Sequence, residues 1–404
     1  MAATSVSAPK HPNITADFLD HSQKLQLLHN KLNPLLPYTI TLSRWIQFHH
    51  RKPSPTSQTF IALTNTDDSS SRITDWLSQP SHSPSPPAAE PWLAAHIDLA
   101  PAGQTQVIVF ASWEIPFDQR TPFTNPPPSP ITSPPTPFIP SPTHAALLHA
   151  LLTHLADRLI PQRPTSPPED WIWLRDNKKY LSQPYSPNKV LFGSVHSVLV
   201  PYFEANGVAR RDGMYVKVVM PPQIGSAVDG EGYRLPDGYS FGTLTTSELQ
   251  TVLDRSPIPR TLTTLKAITN LGIYYHDPSV NDNTSSECIA WAFLGKDGSL
   301  SSMHVEPAHR GKGLATLLGR ALLPKIEQTF RLSTSDPVSE RTVADDRERV
   351  ESTQWYGHAD VDTANTSSRR VMEKLGGRVW WGVQWIEIDV PVILKALQQH
   401  VEQQ

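Results

Sequence analysis

Residues 300–322 combine a short strand, a glycine-rich turn and an amphipathic helix, and they constrain the fold more than any other stretch. Their sequence is LSSMHVEPAHRGKGLATLLGRAL. We predict a strand over 300–305 and a turn over 306–309. The helix that follows has one apolar face, formed by Leu314, Leu317, Leu318, Ala321 and Leu322. The chain therefore passes from strand to helix through residues 310–315.

This junction has the composition of an anion-binding loop. It contains Arg310, Gly311, Lys312, Gly313, Leu314 and Ala315. The first N–H groups of a helix lack intrahelical acceptors, and glycines let a ligand approach the backbone closely, so the loop predicts a phosphate-bearing ligand. The P-loop pattern is absent, because Leu314 follows Gly313 where that pattern has lysine. A dinucleotide-binding loop is disfavoured, because Thr316 occupies its third glycine position.

Length and composition narrow the class of protein. The chain has 404 residues, which favours about two domains, and a formal net charge of −3, which provides no overall basic field for nucleic acid or a membrane surface. Cys288 is the only cysteine, so we expect a reducing compartment. We find neither a signal peptide nor an apolar run of about 18 residues, and we expect a soluble protein of the cytoplasm or the nucleus.

Proline is concentrated in two stretches of the first half. Ten of the 22 residues at 121–142 are proline, and residues 79–91 form a smaller cluster. Proline excludes regular helix and central strand, so both are predicted to be loops. P-x-x-P spacing at Pro134, Pro137 and Pro140 would suit a proline-reading partner, but a surface insertion is the simpler interpretation.

The remaining segments predict a mixed α/β protein in two parts. In the first half, strands are predicted at 60–64, 92–99, 106–113, 190–193 and 214–220, with helices at 144–159 and 195–205. A glycine-rich break at 221–237 favours a domain boundary near residue 230. The second half is predicted to run β, α, α, β, β, β, α up to residue 322, then a polar insertion at 332–354, a strand at 355–361, a helix ending at Gly376 and Gly377, and final strands at 378–388.

Two sequence blocks in the second half resemble the GNAT acetyltransferase superfamily. The first is R-x-x-G-x-A at Arg310, Gly313 and Ala315, preceded by V-x-P at Val305 and Pro307. The second is the strand 355–361 with N-x-x-S at Asn365 and Ser368 and K-L-G at 374–376. The segments 255–260 (RSPIPR) and 357–360 (GHAD), with Trp381 and Trp385, are similar to the glycine N-acyltransferase-like branch. That branch implies a degenerate GNAT-like domain at 1–230, an active GNAT domain at 231–393 and a C-terminal tail at 394–404.

The resemblance implies a binding mode for acyl-CoA. The family's fourth and fifth strands, here 299–305 and 355–361, part so that the pantetheine arm lies along the free edge at Met303, His304 and Val305. Backbone N–H groups from Arg310 to Ala315 would hold the pyrophosphate, and the charges of Arg310 and Lys312 would assist them. Asn365 and Ser368 would contact the cofactor. No metal is expected.

The family's acid and base do not transfer to this chain. A tyrosine that protonates the leaving thiolate in many members corresponds here to Met372, and the glutamate base of the glycine-acyltransferase branch corresponds to Ser299. Tyr356, His358 and Glu306 remain as candidate catalytic groups. His304 is predicted to lie on the strand, and its side chain could face either side of the sheet. Trp381 and Trp385 either line an acceptor pocket or belong to the core.

We therefore expect an N-acyltransferase that moves an acyl group, most simply acetyl, from acyl-CoA directly to an amine-bearing acceptor in a ternary complex. The alternative is a GNAT-fold protein that binds acyl-CoA without turnover or serves as an interaction scaffold. The sequence leaves the acceptor open.

Overall fold

The computed structural model describes residues 13–19, 22–65, 72–79, 90–115, 141–204, 208–211, 213–222, 234–276, 286–332 and 355–402. The described residues therefore exclude most of the two proline clusters and most of the predicted polar insertion at 332–354. The conformations predicted for these stretches stay predictions. Strands and helices alternate through both halves, which confirms the mixed α/β class.

The strands are β1 Asn13–Leu19, β2 Ser57–Asn65, β3 Trp92–Asp98, β4 Val107–Ala111, β5 Lys189–His196, β6 Val208–Arg211, β7 Tyr215–Met220, β8 Tyr239–Gly242, β9 Thr269–His276, β10 Ser286–Leu294, β11 Leu300–Val305, β12 Gly357–Asp362 and β13 Arg378–Asp389. The helices are α1 Ser22–Leu32, α2 Ile40–Arg51, α3 Arg72–Ser78, α4 Pro142–His154, α5 Glu169–Asp176, α6 Val200–Glu204, α7 Thr246–Arg255, α8 Leu262–Ala267, α9 Leu314–Leu322, α10 Lys325–Phe330, α11 Thr366–Lys374 and α12 Val390–Glu402.

Two features differ from the sequence expectations. The helix expected over 195–205 begins at Val200, because Val195 and His196 extend β5 by pairing with β13 at Gln384 and Val383. The expected tail at 394–404 is instead helical through Glu402. This last helix, α12, packs against α4, and Ile393 and Leu397 are buried there.

The described strands form two sheets, and the larger one is shared by both halves. Its nine strands run β1-β2-β3-β4-β5-β13-β7-β12, with β6 beside β13, while the smaller sheet runs β11-β10-β9-β8. Thus β13, from the second half, lies between two strands of the first half. In turn β7, from the first half, lies between β13 and β12. The boundary near residue 230 stays a prediction, but the sheet continues across it.

The two halves repeat one topology. Four consecutive antiparallel strands, β1 to β4, precede β5, which runs parallel to β4 and pairs with it at Val107 and Phe192. In the second half β8 to β11 are likewise antiparallel, and β12 runs parallel to β11. This repetition agrees with a tandem arrangement of related domains.

Alternation along the strands directs side chains into cores on both faces of the large sheet. Along β3, Leu93, Ala95 and Ile97 face α4 and α12, whereas Trp92 and Ala94 face the first two helices. The five residues of β4 are all buried, as a strand covered on both faces requires. A third core joins the small sheet to α7, α9 and α11 and also includes Val216, Val218 and Met220 of β7.

Candidate active site

Strands β11 and β12 separate after one point of contact. Among the described residues, a single parallel bridge joins Ser299 to His358, after which β11 pairs with β10 and β12 pairs with β7. Within β11 the pairing register shifts, and Ser302 adopts a left-handed φ of 49°. A side chain in this conformation is strained, so the bulge is a specific feature of the strand. The parting leaves one edge of β11 open.

The N–H group of Val305 points toward this open edge. Glu306 N–H donates to the carbonyl oxygen of Ile289 on β10 at 2.8 Å. Successive N–H groups of a strand point to opposite sides, so the N–H of Val305 faces away from β10. The carbonyl of the same residue lies on that side too, where it accepts a bond from Nε of Arg310 at 2.9 Å.

The glycine-rich loop stands at the end of β11 and is exposed from Arg310 to Gly313. Gly311 and Gly313 have φ values of 81° and 78°, and a Cβ atom added at either position would meet no atom within 4 Å. Gly313 is the N-cap of α9, and Leu314 and Leu318 anchor the helix in the core. Among the described residues, the N–H groups of Gly311 to Ala315 form no backbone hydrogen bond. The loop can therefore donate several hydrogen bonds to one anion.

The side chain of Tyr239 holds the ammonium group of Lys312 beside the loop. Nζ of Lys312 donates to the hydroxyl of Tyr239 at 2.6 Å and lies 5.2 Å from the centre of that ring. The same hydroxyl is 2.8 Å from Nδ1 of His309. Tyr239 belongs to β8, so the edge strand of the small sheet supports the loop. No sequence motif marks this tyrosine, because the contact joins residues 73 positions apart.

Polar side chains of β11 face the connection between α7 and α8. Nη1 of Arg260 donates to Oγ of Ser302 at 2.7 Å, and Nη2 of Arg255 lies 3.1 Å from Oε1 of Glu306. Nε2 of His304 lies 3.6 Å from Oε2 of Glu306. The ring of His304 stacks on Trp291 with centroids 4.5 Å apart. The sequence does not determine which way His304 faces, and in the structure its side chain lies beside Glu306 at the end of β11.

The carboxylate of Glu306 is therefore held between two cationic or basic groups and stays in reach of solvent. Its side chain is 17% exposed, whereas that of Arg255 is 55% exposed. Nε2 of His304 is buried and has no hydrogen-bond partner among the described residues. Such a pair can accept a proton from a ligand that enters beside β11. The RSPIPR segment signalled the arginines, but not their contact with β11.

His358 occupies a different environment. It is fully buried, its Nε2 bonds to the carbonyl oxygen of Asp297 at 2.8 Å, and its Nδ1 lies 3.4 Å from Nζ of Lys217. Burial lowers the pKa of His358 to about 4, and the Lys217 charge acts in the same direction. Lys217 forms a buried ion pair with Asp360 at 2.7 Å. These contacts link β12 to β7 and suit a structural role.

The structure also shows the surroundings of the remaining residues that the sequence singled out. Tyr356 is partly buried beside the core that contains the first two helices, and burial raises its pKa. Oδ1 of Asn365 accepts from the N–H of Ser368 at 3.0 Å, so the N-x-x-S motif caps α11. Met372 is buried, and Oγ of Ser299 donates to Asp297 at 2.6 Å.

Three further side chains belong to packing. Burial raises the pKa of Cys288 to about 12, so its thiol stays protonated. Trp381 stacks on Tyr38 at 5.0 Å, and Nε1 of Trp385 donates to Thr105 at 3.2 Å. Both tryptophans therefore contact the first half and support the core interpretation. Among the described residues, no group of three or more His, Cys, Asp or Glu side chains could hold a metal ion.

Comparison with known proteins identifies the family. The model described as the acyl-CoA N-acyltransferase verG N-terminal domain matches residues 12–218. The chain belongs to the verG family of acyl-CoA N-acyltransferases. A second model, FR47-like protein, matches residues 270–334, which include β11, the glycine-rich loop and α9. The GNAT resemblance is thereby confirmed, whereas the glycine N-acyltransferase-like branch stays a prediction. No curated protein matches this verG-family chain.

Solved structures resemble the verG-family chain in fold. A Drosophila protein from a structural genomics programme is 14% identical, with 92% of this chain and 98% of that chain covered and a TM-score of 0.50. A tandem GNAT protein from the clavulanic acid biosynthesis pathway is 9% identical, with 93% and 97% covered and a TM-score of 0.39. A GCN5-related N-acetyltransferase from Sphaerobacter thermophilus is 10% identical, with 94% and 96% covered and a TM-score of 0.37.

No described helix of the verG-family chain is both long enough and apolar enough to cross a bilayer.

Proposed function

We propose that the second half transfers an acyl group, most simply acetyl, from acyl-CoA directly to the amine of an acceptor bound at the same time. The observation that carries this proposal is the exposed loop from Arg310 to Ala315, at the N-terminus of α9 and beside the open edge of β11. Pyrophosphate oxygens match the donors of that loop.

Each part of the cofactor has a proposed partner. The backbone N–H groups of Gly311 to Ala315 hold the pyrophosphate, and Arg310 and Lys312 add positive charge. The pantetheine amides pair with the open edge at Met303, His304 and Val305, and the N-terminus of α11 with Asn365 and Ser368 faces the cofactor. The Val305 N–H donates to the thioester oxygen as negative charge develops there.

Glu306, assisted by His304, is the proposed base. It takes a proton from the acceptor ammonium, whose nitrogen lone pair then attacks the thioester carbon. The C–N bond forms and the C–S bond breaks without an acyl-enzyme. The nitrogen releases its second proton as the amide forms, and the departing thiolate takes up a proton, so CoA leaves as the free thiol. The 17% exposure of Glu306 and its place at the end of β11 support this role better than the burial of His358 does.

Calorimetry with acetyl-CoA and with CoA tests cofactor binding. We expect micromolar binding by the native protein and loss of binding in Gly313→Asp, because the new carboxylate would lie where the pyrophosphate binds. Gly313→Asn is the matched control, since it has the same shape and the same positive φ without the charge. It should bind measurably more tightly than Gly313→Asp. Equal affinities of the native protein and Gly313→Asp would contradict the loop assignment.

An acyl-CoA-binding protein without turnover is the second candidate. It is favoured by Met372 and by Ser299, whose hydroxyl is engaged by Asp297. Release of free thiol from acetyl-CoA in the presence of amines distinguishes the two. Binding without amine-dependent release would favour the second candidate.

A further inference from the structure

Residues of the first half contact the C-terminal ends of α7 and α8, two helices of the second half. Nζ of Lys179 donates to the carbonyl oxygens of Leu253 at 2.6 Å and Ser256 at 2.7 Å, at the C-terminus of α7. Nζ of Lys52 donates to Ala267 O at 2.6 Å, at the C-terminus of α8. The last carbonyls of a helix carry the negative end of the helix dipole, so a lysine ammonium is well suited to them. The carbonyl oxygen of Leu253 also accepts from the N–H of Ser256 at 3.2 Å.

Two more contacts hold the connection between α7 and α8 and the first turn of α8. The N–H of Tyr180 donates to the carbonyl oxygen of Pro257 at 3.0 Å, and Oγ1 of Thr264 donates to Oε1 of Gln104 at 2.8 Å. Four residues of the first half thus hold residues 253–267 through five hydrogen bonds. Arg255, the last residue of α7, contacts Glu306 just after β11, and Arg260 of the connection contacts Ser302 of β11.

Of these contacts, those of Lys179 lie on both sides of Arg255. Its two acceptors, Leu253 and Ser256, flank Arg255 by two residues and one residue in sequence, and Arg255 contacts the carboxylate of Glu306 at 3.1 Å. Without the ammonium, the last turn of α7 loses two charge-assisted hydrogen bonds, and the position of Arg255 is less defined.

We propose that Lys179 is a positioning residue for acceptor binding, and that the first half serves to hold the acceptor side of the site in the second half. This inference rests on the proposed acyl transfer. Lys179 touches neither substrate; it acts through the α7 terminus and Arg255. Acceptor binding should therefore depend on it, whereas acetyl-CoA binding, assigned above to the glycine-rich loop and the open edge of β11, should not.

The test compares Lys179→Met, Lys179→Arg and the native protein. Thiol release from acetyl-CoA is measured with a fixed panel of glycine, spermidine and 2-phenylethylamine, and the amine that the native protein uses best becomes the probe. We expect Lys179→Met to raise the KM for the probe about tenfold, with kcat within about twofold and acetyl-CoA affinity unchanged. Lys179→Arg should restore most of the loss, because it keeps the charge and the donors.

Lys178→Met is the matched control. Lys178 is the preceding residue and is exposed, so its replacement should leave all three quantities unchanged. A Lys179→Met protein with native KM for the probe overturns the inference. A loss of acetyl-CoA affinity equal to the loss in KM also overturns it, because a general structural defect would then be responsible.

Hydrogen–deuterium exchange provides a readout that needs no acceptor. In Lys179→Met, amides at 253–260 should exchange faster, while those of β11 stay as in the native protein. Unchanged exchange at 253–260 contradicts the inference whether or not any amine is acylated. Failure of the proposed function is recognised separately, as absence of acetyl-CoA binding or thiol release in the native protein.

Discussion

Glu306 is the residue on which the proposed chemistry depends most. Glu306→Gln keeps the size of the side chain and its contact with Arg255 but cannot take a proton. We expect kcat for amine-dependent thiol release to fall about 100-fold, the usual contribution of a general base, with acetyl-CoA affinity unchanged.

Glu373→Gln is the control for this substitution, because Glu373 is exposed on α11. It should keep native kcat. Native activity in Glu306→Gln would exclude the carboxylate as the base and leave His304 as the nearest alternative on β11.

For His358 we predict an effect on stability rather than on catalysis. Its pKa is lowered to about 4 by burial and by Lys217, although Asp297 and Asp360 oppose the shift. Below its ordinary pKa of 6.5 the unfolded chain takes up a proton that the folded chain does not, so the free energy of unfolding falls on acidification. His358 alone should contribute a loss of about 2 kcal/mol between pH 7 and pH 5.

Urea unfolding of the native protein, His358→Gln and His50→Gln at both pH values measures this contribution. His358→Gln should lose about 2 kcal/mol less than the native protein on acidification, whatever its stability at pH 7. His50 is exposed on α2, and its replacement should leave the pH dependence unchanged. Equal losses in all three proteins would show that His358 is protonated in the folded state too.

At the scale of elements, local sequence predicted the glycine-rich turn and the helix after it, whereas anion binding by this turn stays a prediction. Gly311 and Gly313 occur where a left-handed backbone is needed, and the leucines of α9 have helical spacing, so both features were readable from residues 300–322. The helix expected over 195–205 was wrong at its start, because pairing with β13 decides the conformation of Val195 and His196. The local sequence pattern around these residues carries no information about a pairing strand nearly 190 positions away.

The contacts of the candidate site were less predictable than its loop. Arg255, His304 and Glu306 meet because the end of α7 lies against β11, which depends on the packing of the whole second half. The pattern of β7, YVKVVM, predicts a strand but not that Lys217 is buried beside Asp360 of the other half. Partner choice between strands is set by tertiary structure rather than by local propensity.

At the scale of the whole molecule, the halves exchange their last strands. Among the described residues, β13 pairs with β5, β6 and β7, all from the first half, and β12 pairs with β7 and bridges Ser299. A fragment of residues 231–404 would therefore lack the ladder partners of both strands, and the apolar faces of β13 would be exposed.

We expect this fragment to be insoluble or unfolded when it is produced alone, as judged by circular dichroism and size-exclusion chromatography. Co-production with residues 1–230 should restore a soluble complex of both fragments, because β7 can then insert between β12 and β13 without a covalent link. The buried pair of Lys217 and Asp360 provides a specific check on that insertion. Lys217→Asp in the first fragment would place two carboxylates together in the core and should prevent assembly, whereas Lys178→Asp on its exposed turn should not. A folded, monomeric 231–404 fragment would show that strand exchange is dispensable for the second half.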